Sequence, residues 1–563
     1  MAVAATACSL LVDQSDAQCN TTADCLALGP RFAQSYCASR TCQSPCTTNA
    51  QCTGTNTSDP WICRADRTCA PLLSEDCTTL LTDSEDLSDP VLTPAGETAA
   101  DAGTQVVWLG MLLPLDPSTA PLSKAKEDAA NLARGDFNAN GGLPPVGLVG
   151  PIRRFAFVVC DDTADPVRAA THLTTDVRVP AIIGPVYSDT LVTVATAVTD
   201  QAGVLLLTPT ATAVDISDLS EPENLIWRTC PSDAVQGQAM ALVIEQTIAP
   251  EAQNGLDAGA PLKVANVHKG DAYGTGLGSA LDQDLFFNDA GASANGQSGN
   301  YLNFDYGDPS ETDASAEATE YTKAVADVLA LAPDVIALVG TEEVITSIMA
   351  PIEAAWPAAN GAHPLPYYLL SDGAYPRPEL LALVGTNANL RARVLGTQPG
   401  PTANYPPYLG FLSYYGDMIS DGTTPVLSTA STYDAAYLLA YAIAAIGPES
   451  MTGPNLVAGL KRVVVPRTSP IKVGPNDISV ALGAVAEDGG ISEGGSAAEA
   501  IIGSSGPLYY PDPSHGDPVG EIQVWCLSVD PDGGAVNGFP NSGLYFDPTM
   551  NMTKLEGTKE YCP

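Results

Sequence analysis

Basic residues and histidines are scarce in this chain of 563 residues. It contains 24 Lys and Arg against 65 Asp and Glu, a formal net charge of −41, and only four His. So strong an excess of negative charge repels nucleic acids and anionic lipids, which excludes both as partners. We interpret the surplus as a surface charge that keeps an exported protein soluble. The sequence contains no D-x-D-x-D-G loop, so this motif gives no support for calcium binding.

Long apolar runs and catalytic motifs are also missing from the sequence. The longest apolar stretch, residues 435–447, is shorter than the ~20 residues of a membrane helix. The histidines lack metal-ligand spacing, and there is no G-x-S-x-G elbow, phosphate-binding loop or paired-acid motif. Gly274, Gly276 and Gly278 form G-x-G-x-G, which differs from the G-x-G-x-x-G of dinucleotide sites. We therefore expect no enzymatic activity, no metal and no cofactor.

The 14 cysteines are distributed unevenly, with ten in the first 77 residues. Two successive units carry four each: Cys19, Cys25, Cys37 and Cys42, then Cys46, Cys52, Cys63 and Cys69. The amino-acid sequences of the two units are also similar: CNTTADC and CASRTC in the first correspond to CTTNAQC and CRADRTC in the second. Because there is no C-x-x-C pair and no nearby histidine, disulfides are favoured over zinc. They indicate an oxidising compartment outside the cytoplasm, whereas the connectivity within each unit stays open.

Cys8 has two competing interpretations. It follows a short run of small residues that is typical of a lipoprotein cleavage site, but the run lacks a basic segment and a full apolar segment. Cys8 is therefore expected either to carry a lipid anchor or to form a disulfide with Cys77. Two further candidate disulfides are Cys160–Cys230, and Cys526–Cys562, which would hold down the C-terminal tail.

Strand and helix patterns alternate from residue 104 onward. Buried strands are predicted at residues 106–112, 154–159, 180–183, 204–207, 225–228, 262–267, 301–304, 335–339, 367–370 and 521–527. Helices are predicted at residues 123–138, 236–248, 277–287 and 321–331. Alternation of this kind builds parallel sheets with helices on both faces. About 400 residues of it exceed one core, so two α/β lobes are expected.

The chain divides into four predicted parts. They are a disulfide-rich domain at 1–77, an acidic linker at 78–103, a two-lobed α/β domain at 104–530 and a loose tail at 531–563. A helix at residues 432–446 is apolar nearly all round. We expect this helix to be buried against the first lobe.

Residues 179–212 carry the most specific pattern. Two short buried strands end in the turns Gly184-Pro185 and Thr208–Thr212, and a helix follows the first turn near Ser188 and Asp189. The free N–H groups and the dipole at a helix start favour a small anion. In an open α/β sheet, such sites lie at the carboxyl ends of the strands. A helix-capping role explains Ser188 equally well when it is considered alone.

The order of motifs along residues 105–530 resembles periplasmic substrate-binding proteins of the branched-chain amino acid type. This type I fold also forms the ligand-binding regions of receptors. The motifs that carry the resemblance are LGMLLPL, FNANGG, VVCDDTADP, IIGPVYSD, LLTPTAT, WRTCPSD, LLSDGAY and GSSGPLYY. The resemblance implies two lobes that close on a small ligand, and uptake through an ABC permease or signalling through a membrane sensor.

The resemblance also implies eight ligand contacts: Asp116, Ser188, Thr210, Ala211, Thr212, Tyr273, Thr341 and Asp372. An amino acid carboxylate would be held by hydroxyl and N–H groups at the turns of Ser188 and of residues 210–212. Asp372 would hold the ammonium, and Tyr273 would wall the pocket. Such a set combines anion and cation recognition with an aromatic face.

Two features depart from the family pattern. The turn Thr-Pro-Thr-Ala-Thr is bulkier than usual, and the Cys-rich domain has no counterpart in the family. The alternative function is a surface scaffold or adhesion protein that uses the Cys-rich module, with an α/β part that binds no transported solute. Either function places the protein in the periplasm or on the surface of a bacterium.

Overall fold

The computed structural model describes residues 18–83, 105–145, 152–486 and 501–559, with short gaps inside these ranges, and Cys562. Cys8 and most of the predicted linker lie outside the described residues. No helix in the described part of the chain is long and apolar enough to cross a membrane.

The N-terminal domain is organised by disulfides, as predicted. In each unit the first cysteine pairs with the third and the second with the fourth: Cys19–Cys37, Cys25–Cys42, Cys46–Cys63 and Cys52–Cys69. Each unit contains one antiparallel hairpin, Tyr36–Ala38 with Thr41–Gln43 in the first and Trp61–Cys63 with Cys69–Pro71 in the second. One short helix, Thr22–Ala27, precedes the first hairpin.

A disulfide and an ion pair attach this domain to the first lobe. Cys77 is bonded to Cys160, and Arg168 binds both carboxylate oxygens of Asp76 at 2.6 Å. The candidate pairs Cys8–Cys77 and Cys160–Cys230 are therefore wrong. The reason is the register of strand Thr79–Leu81, which pairs Thr79 with Val159 and so brings Cys77 beside Cys160. Cys230 is a buried free thiol.

The first lobe is built on a six-stranded sheet. Its strands, in spatial order, are Ile226–Arg228, Leu205–Thr208, Ala181–Ile183, Gln105–Leu113, Arg153–Asp161 and Thr79–Leu81. All of them are parallel except the last, which is antiparallel to its neighbour. The segment predicted as a linker from residue 78 therefore begins with an edge strand. Helices of this lobe include Ala120–Ala139, Pro166–Thr171, Ser188–Val194, Pro406–Met418, Leu427–Ala445, Gly453–Val463 and Ile478–Ala486.

The second lobe is built on an eight-stranded sheet. Its strands, in spatial order, are Tyr301–Asp305, Val264–His268, Val335–Val339, Tyr367–Leu370, Val394–Pro399, Ile522–Trp525, Asn541–Phe546 and Glu556–Gly557. The first five are parallel to one another, and each of the last three is antiparallel to the strand before it in this order. Helices of this lobe include Asp233–Val243, Ala272–Asp284, Ala292–Gln297, Ala314–Leu331, Ala350–Asn360, Pro378–Val384 and Ala388–Arg391.

The C-terminal segment is part of this second sheet and not a loose tail, because Asn541–Phe546 pairs with Ile522–Trp525. The predicted disulfide Cys526–Cys562 is confirmed. Together the pairing and the disulfide fix the end of the chain to the second lobe.

The helix Leu427–Ala445 is buried along its length in the core of the first lobe, as its all-round apolar pattern predicts. Its few polar groups have partners there. The hydroxyls of Tyr433 and Tyr437 donate to Asp136 on helix Ala120–Ala139. Buried polar groups that are satisfied in this way fix one packing arrangement of the two helices.

The chain passes between the lobes three times in its described part: after Arg228, after Pro399 and between Tyr510 and Ile522. The second and third crossings are bonded to each other, since Glu521 accepts the N–H groups of Gly400 and Thr402 at 2.9 and 2.8 Å. These crossings hold the carboxyl ends of the two sheets face to face.

Candidate functional site in the interlobe cavity

A cavity of about 660 Å³ lies between the carboxyl ends of the two sheets. Seven of the eight predicted contacts line it: Asp116, Ser188, Thr210, Thr212, Tyr273, Thr341 and Asp372. Ala211 is not among the lining residues. Its side chain is fully buried in the core of the first lobe, and its N–H donates to the Thr208 hydroxyl at 3.0 Å.

Hydrogen bonds link the two turns of the first lobe. The helix begins at Ser188, whose Oγ accepts the N–H of Ala213 in the second turn at 3.2 Å. Thr210 donates its hydroxyl proton to the carbonyl of Val186 at 2.8 Å. A hydroxyl has a single proton, so the side chain of Thr210 holds the turns together and cannot also donate to a ligand. Ser188 keeps its own proton for that purpose, beside the first-turn N–H groups of its helix.

The second lobe contributes a carboxylate that is held in place by two donors. Asp372 follows strand Tyr367–Leu370 and accepts the Tyr273 hydroxyl at 2.6 Å and the Gln236 amide at 3.0 Å, both on Oδ1. Burial raises the pKa of Asp372, and the hydrogen bonds from Tyr273 and Gln236 oppose that increase. The carboxylate is thus oriented by its neighbours while its charge has no cationic partner within 4.0 Å among the described residues.

A second carboxylate lies close to Asp372. Asp233 is fully buried at the start of helix Asp233–Val243, and no cationic side chain of the described residues lies within 4.0 Å of its oxygens. Burial and the charge of Asp372 raise the pKa of Asp233 well above its usual value. Two neighbouring carboxylates without a counter-ion form an environment that favours a cationic group.

Thr341 and Asp116 are engaged within their own loops. The hydroxyl and N–H of Thr341 both donate to Glu343, with the N–H at 2.9 Å, and Asp116 accepts the hydroxyl of Thr119. The Thr341 hydroxyl proton is therefore committed to Glu343. Both residues shape the wall of the cavity in this structure.

Several lining or adjacent residues were missed by the sequence analysis, among them Lys126, Asp233, Gln236 and Arg377. Lys126 had a detectable pattern, because it occupies a position in the apolar periodicity of helix Ala120–Ala139 where a small apolar residue is expected. Asp233 and Gln236 follow strand Ile226–Arg228, and only the folded chain brings them to Asp372.

The two-lobed α/β fold with a cavity at the facing strand ends defines a class of proteins that bind ligands between two lobes. The chain belongs to the periplasmic binding protein family, whose model matches residues 106–488. It is similar to Leu/Ile/Val-binding protein homolog 3 of Brucella melitensis, with 28% identity over 233 residues, 41% of this chain and 55% of that relative. The chain spans between 34% and 55% of the length of the curated relatives it matches.

Solved structures agree with the fold. The leucine-binding protein LivK of Thermotoga maritima aligns with a TM-score of 0.54 and 17% identity, covering 79% of this chain and all of that one. A solute-binding protein of an ABC transporter from R. palustris, in complex with 4-hydroxybenzoate, aligns with a TM-score of 0.53 and 15% identity, covering 79% of this chain and 97% of that one. These similarities establish the type I periplasmic-binding-protein fold.

Proposed function

We propose that this protein captures a small amino acid between its lobes, outside the cytoplasm, as the solute-binding component of an ABC-type uptake or sensing system. The observation that supports this proposal is the placement of Ser188 and Asp372, from opposite lobes, in one cavity. The turn at Ser188 offers hydrogen-bond donors to a carboxylate, and Asp372 offers charge to an ammonium group. Only a ligand that has both a carboxylate and an ammonium group can bind to both lobes in this way.

Asp372 and Asp233 are the reason for proposing an amino acid instead of an acid that has no ammonium group. A ligand such as 4-hydroxybenzoate has no cationic group, so it would leave two neighbouring carboxylates without a counter-ion. An ammonium group supplies that counter-ion in a site with restricted access to water, where the attraction is stronger than at the surface. Tyr273 would then contribute its ring face and hold Asp372 in position through its hydroxyl.

Binding is expected to draw the lobes together. Ligand groups that bind both lobes favour the closed arrangement over the open one, by as much as the affinities for the two arrangements differ. The closed form is the one that a permease or a sensor would recognise. Cys8 lies outside the described residues, and its lipidation stays a prediction.

A thermal-shift screen tests the proposal with the full chain. The panel contains the common amino acids, short dicarboxylates and hydroxybenzoates at millimolar concentration. A ligand at 100 times its Kd adds about 2.7 kcal/mol to the stability of the unit it binds, which produces a clear increase in Tm.

Variants then locate the binding site. Asp372→Asn and Ser188→Ala should each remove most of the shift, whereas Asp284→Asn, an exposed carboxylate of the same lobe outside the cavity, should leave it intact. A shift with hydroxybenzoates alone, or one that Asp372→Asn leaves unchanged, would contradict an amino acid ligand. No shift across the panel would favour the scaffold function.

A further inference from the structure

Lys126 is a buried cation for which the described part of the chain supplies no anionic partner. Its side chain is on helix Ala120–Ala139 of the first lobe, lines the interlobe cavity and is only 4% exposed. Its Nζ lies 3.5 Å from the carbonyl oxygen of Leu122, a weak contact. No carboxylate of the described chain lies within 4.0 Å of this ammonium group.

Burying an ammonium group without a counter-ion is costly. The surroundings oppose the charge, since burial and the nearby charge of Arg377 lower the pKa of Lys126 to about 8. An apolar residue of similar length would avoid this cost. An anion bound at this position would offset that cost, and the described residues place none within 4.0 Å of the ammonium group.

Arg377 lies across the cavity on the second lobe. It follows the turn that carries Asp372, and its Nε donates to the carbonyl of Gly373 at 3.1 Å. A guanidinium group has five N–H donors in a planar fork that suits a carboxylate. In the described structure, this side chain too has no carboxylate within 4.0 Å.

Several acidic groups of the cavity, in contrast, have hydrogen-bond or ionic partners within the protein. Asp271 pairs with Lys269 at 2.7 Å, Glu317 accepts the Tyr321 hydroxyl at 2.6 Å, and Glu343 accepts donors from Thr341 and Tyr306. The surplus of acids on the cavity wall is thus largely bonded within the protein. Lys126 and Arg377 differ from these acids, because no side chain of the described residues supplies either cation with an anionic partner within 4.0 Å.

We propose that Lys126 and Arg377 bind a second anionic group of the ligand, so that the ligand is an acidic amino acid with a side-chain carboxylate. This inference rests on the proposed function for the amino and α-carboxylate groups of the ligand. The side-chain carboxylate lies between a cation of each lobe. It therefore adds a further interaction that stabilises the closed arrangement.

The test compares each acid with its amide by isothermal titration calorimetry at pH 7. L-glutamate and L-aspartate are titrated into the full chain alongside L-glutamine, L-asparagine and L-leucine. We expect at least one acid to bind 10-fold or more tightly than its amide. Because the paired ligands differ little in size, the ratio isolates the charge of the side chain.

Two lysine variants of one helix provide a matched comparison. Lys126→Met should weaken binding of the acid by 10-fold or more and change binding of the amide by less than threefold. Lys124→Met should change neither, since Lys124 points to Glu127 and Asp128 at 2.9 and 2.5 Å and does not line the cavity. A Tm no lower than that of the wild type and an unchanged near-UV spectrum show that a variant is folded.

The outcomes separate this inference from the proposed function. Tighter binding of leucine or of an amide than of both acids would overturn the inference and leave the proposed function standing. Binding of succinate without any amino acid, if Lys126→Met abolishes it, would support the second anion site and overturn the amino acid proposal. No binding by any of these compounds would overturn both.

Discussion

Burial and the charge of Asp372 raise the pKa of Asp233, and neither carboxylate has a basic side chain within 4.0 Å among the described residues. Tyr273 and Gln236 face Asp372, while Arg228 and Asp271 act on Asp233 from neighbouring elements. Both carboxyl groups therefore take up a proton at a higher pH than ordinary aspartates do.

The first prediction concerns the pH dependence of binding. A carboxyl group with a raised pKa is neutral below that pKa, so the attraction for an ammonium group falls as the pH falls. Affinity for L-glutamine, which has no side-chain carboxylate for Lys126 to bind, should decrease as the pH falls from 8 to 5, measured by calorimetry. Asp233→Asn removes one of the two interacting carboxyl groups, so the affinity of this variant should depend less on pH. A wild-type affinity that rises as the pH falls would contradict this assignment.

A second prediction concerns Lys126 and stability without ligand. The folded pKa is about 8 against an ordinary value of 10.5, so the unfolded chain binds more protons between these pH values. The contribution of this lysine to the free energy of unfolding therefore increases as the pH rises from 8 to 10.5. Lys126→Met should be more stable than the wild type by about 2 kcal/mol at pH 7.

Urea unfolding at pH 7, 8.5 and 10 checks this prediction. The difference between Lys126→Met and the wild type should shrink as the pH rises, because the wild-type lysine loses its unfavourable charge. Lys124→Met supplies the comparison, and its difference from the wild type should stay constant. A constant difference for Lys126→Met as well would show that its charge is not buried at a cost.

The third prediction tests the close packing of the helices that hold Asp372. A Cβ at Gly237 would lie 2.5 Å from the Cβ of Ala280 on the neighbouring helix. Gly237→Ala should force the helices apart and lower the free energy of unfolding by about 1–3 kcal/mol. Affinity should fall too, because Gln236 and Tyr273 donate to Asp372 from these two helices.

A glycine elsewhere gives the opposite expectation. Gly135 is inside helix Ala120–Ala139, and nothing lies within 4 Å of a Cβ placed there. Gly135→Ala should therefore raise stability by about 0.5–1 kcal/mol and leave affinity unchanged. If both variants stabilised the protein, the contact between the helices would be looser than described.

The fourth prediction concerns the attachment of the N-terminal domain. Cys77 and Cys160 are separated by 83 residues, and the unfolded chain without their disulfide gains conformational freedom. Changing both to Ser should lower the free energy of unfolding by about 2–4 kcal/mol. The ion pairs of Asp76 with Arg168 and of Asp66 with Arg178 would remain, so the domain should loosen without detaching, and limited proteolysis should cut more readily near residue 77.

The control is the double Ser variant of Cys526 and Cys562. It should expose the C-terminal segment to proteases and leave cleavage near residue 77 at the wild-type rate. Equal cleavage near residue 77 in all three proteins would mean that the disulfide does not hold the N-terminal domain in place.

The parallel strands could be predicted from the sequence because their burial on both faces produces continuous apolar runs. Val335–Val339 and Tyr367–Leu370 have the predicted boundaries. The helix Ala272–Asp284 starts five residues earlier than the predicted 277–287. Its first turns contain glycines, which weaken the helical pattern, while Asp271 caps it by accepting the Gly274 N–H at 2.8 Å.

Strands outside the βα alternation were not predictable, because tertiary pairing defines them. Thr79–Leu81 and Asn541–Phe546 are in segments that appeared to be a linker and a tail. The turns at the strand ends predicted where the candidate site lies. The resemblance to the family then predicted which residues contact the ligand. The proximity of Asp233 to Asp372 depends on packing within the second lobe, and that of Lys126 to Arg377 depends on how the lobes face each other. No local sequence pattern contains that information.

The three crossings between the lobes make each lobe discontinuous along the chain. Strand Val394–Pro399 acquires its second neighbour only when Ile522–Trp525 has been synthesised, more than 100 residues later. Until then the second sheet has an open edge, and Gly396 lacks the Trp525 ring that packs against it. The second lobe is therefore completed after the first, because its sheet is closed only by the strands from Ile522 onward.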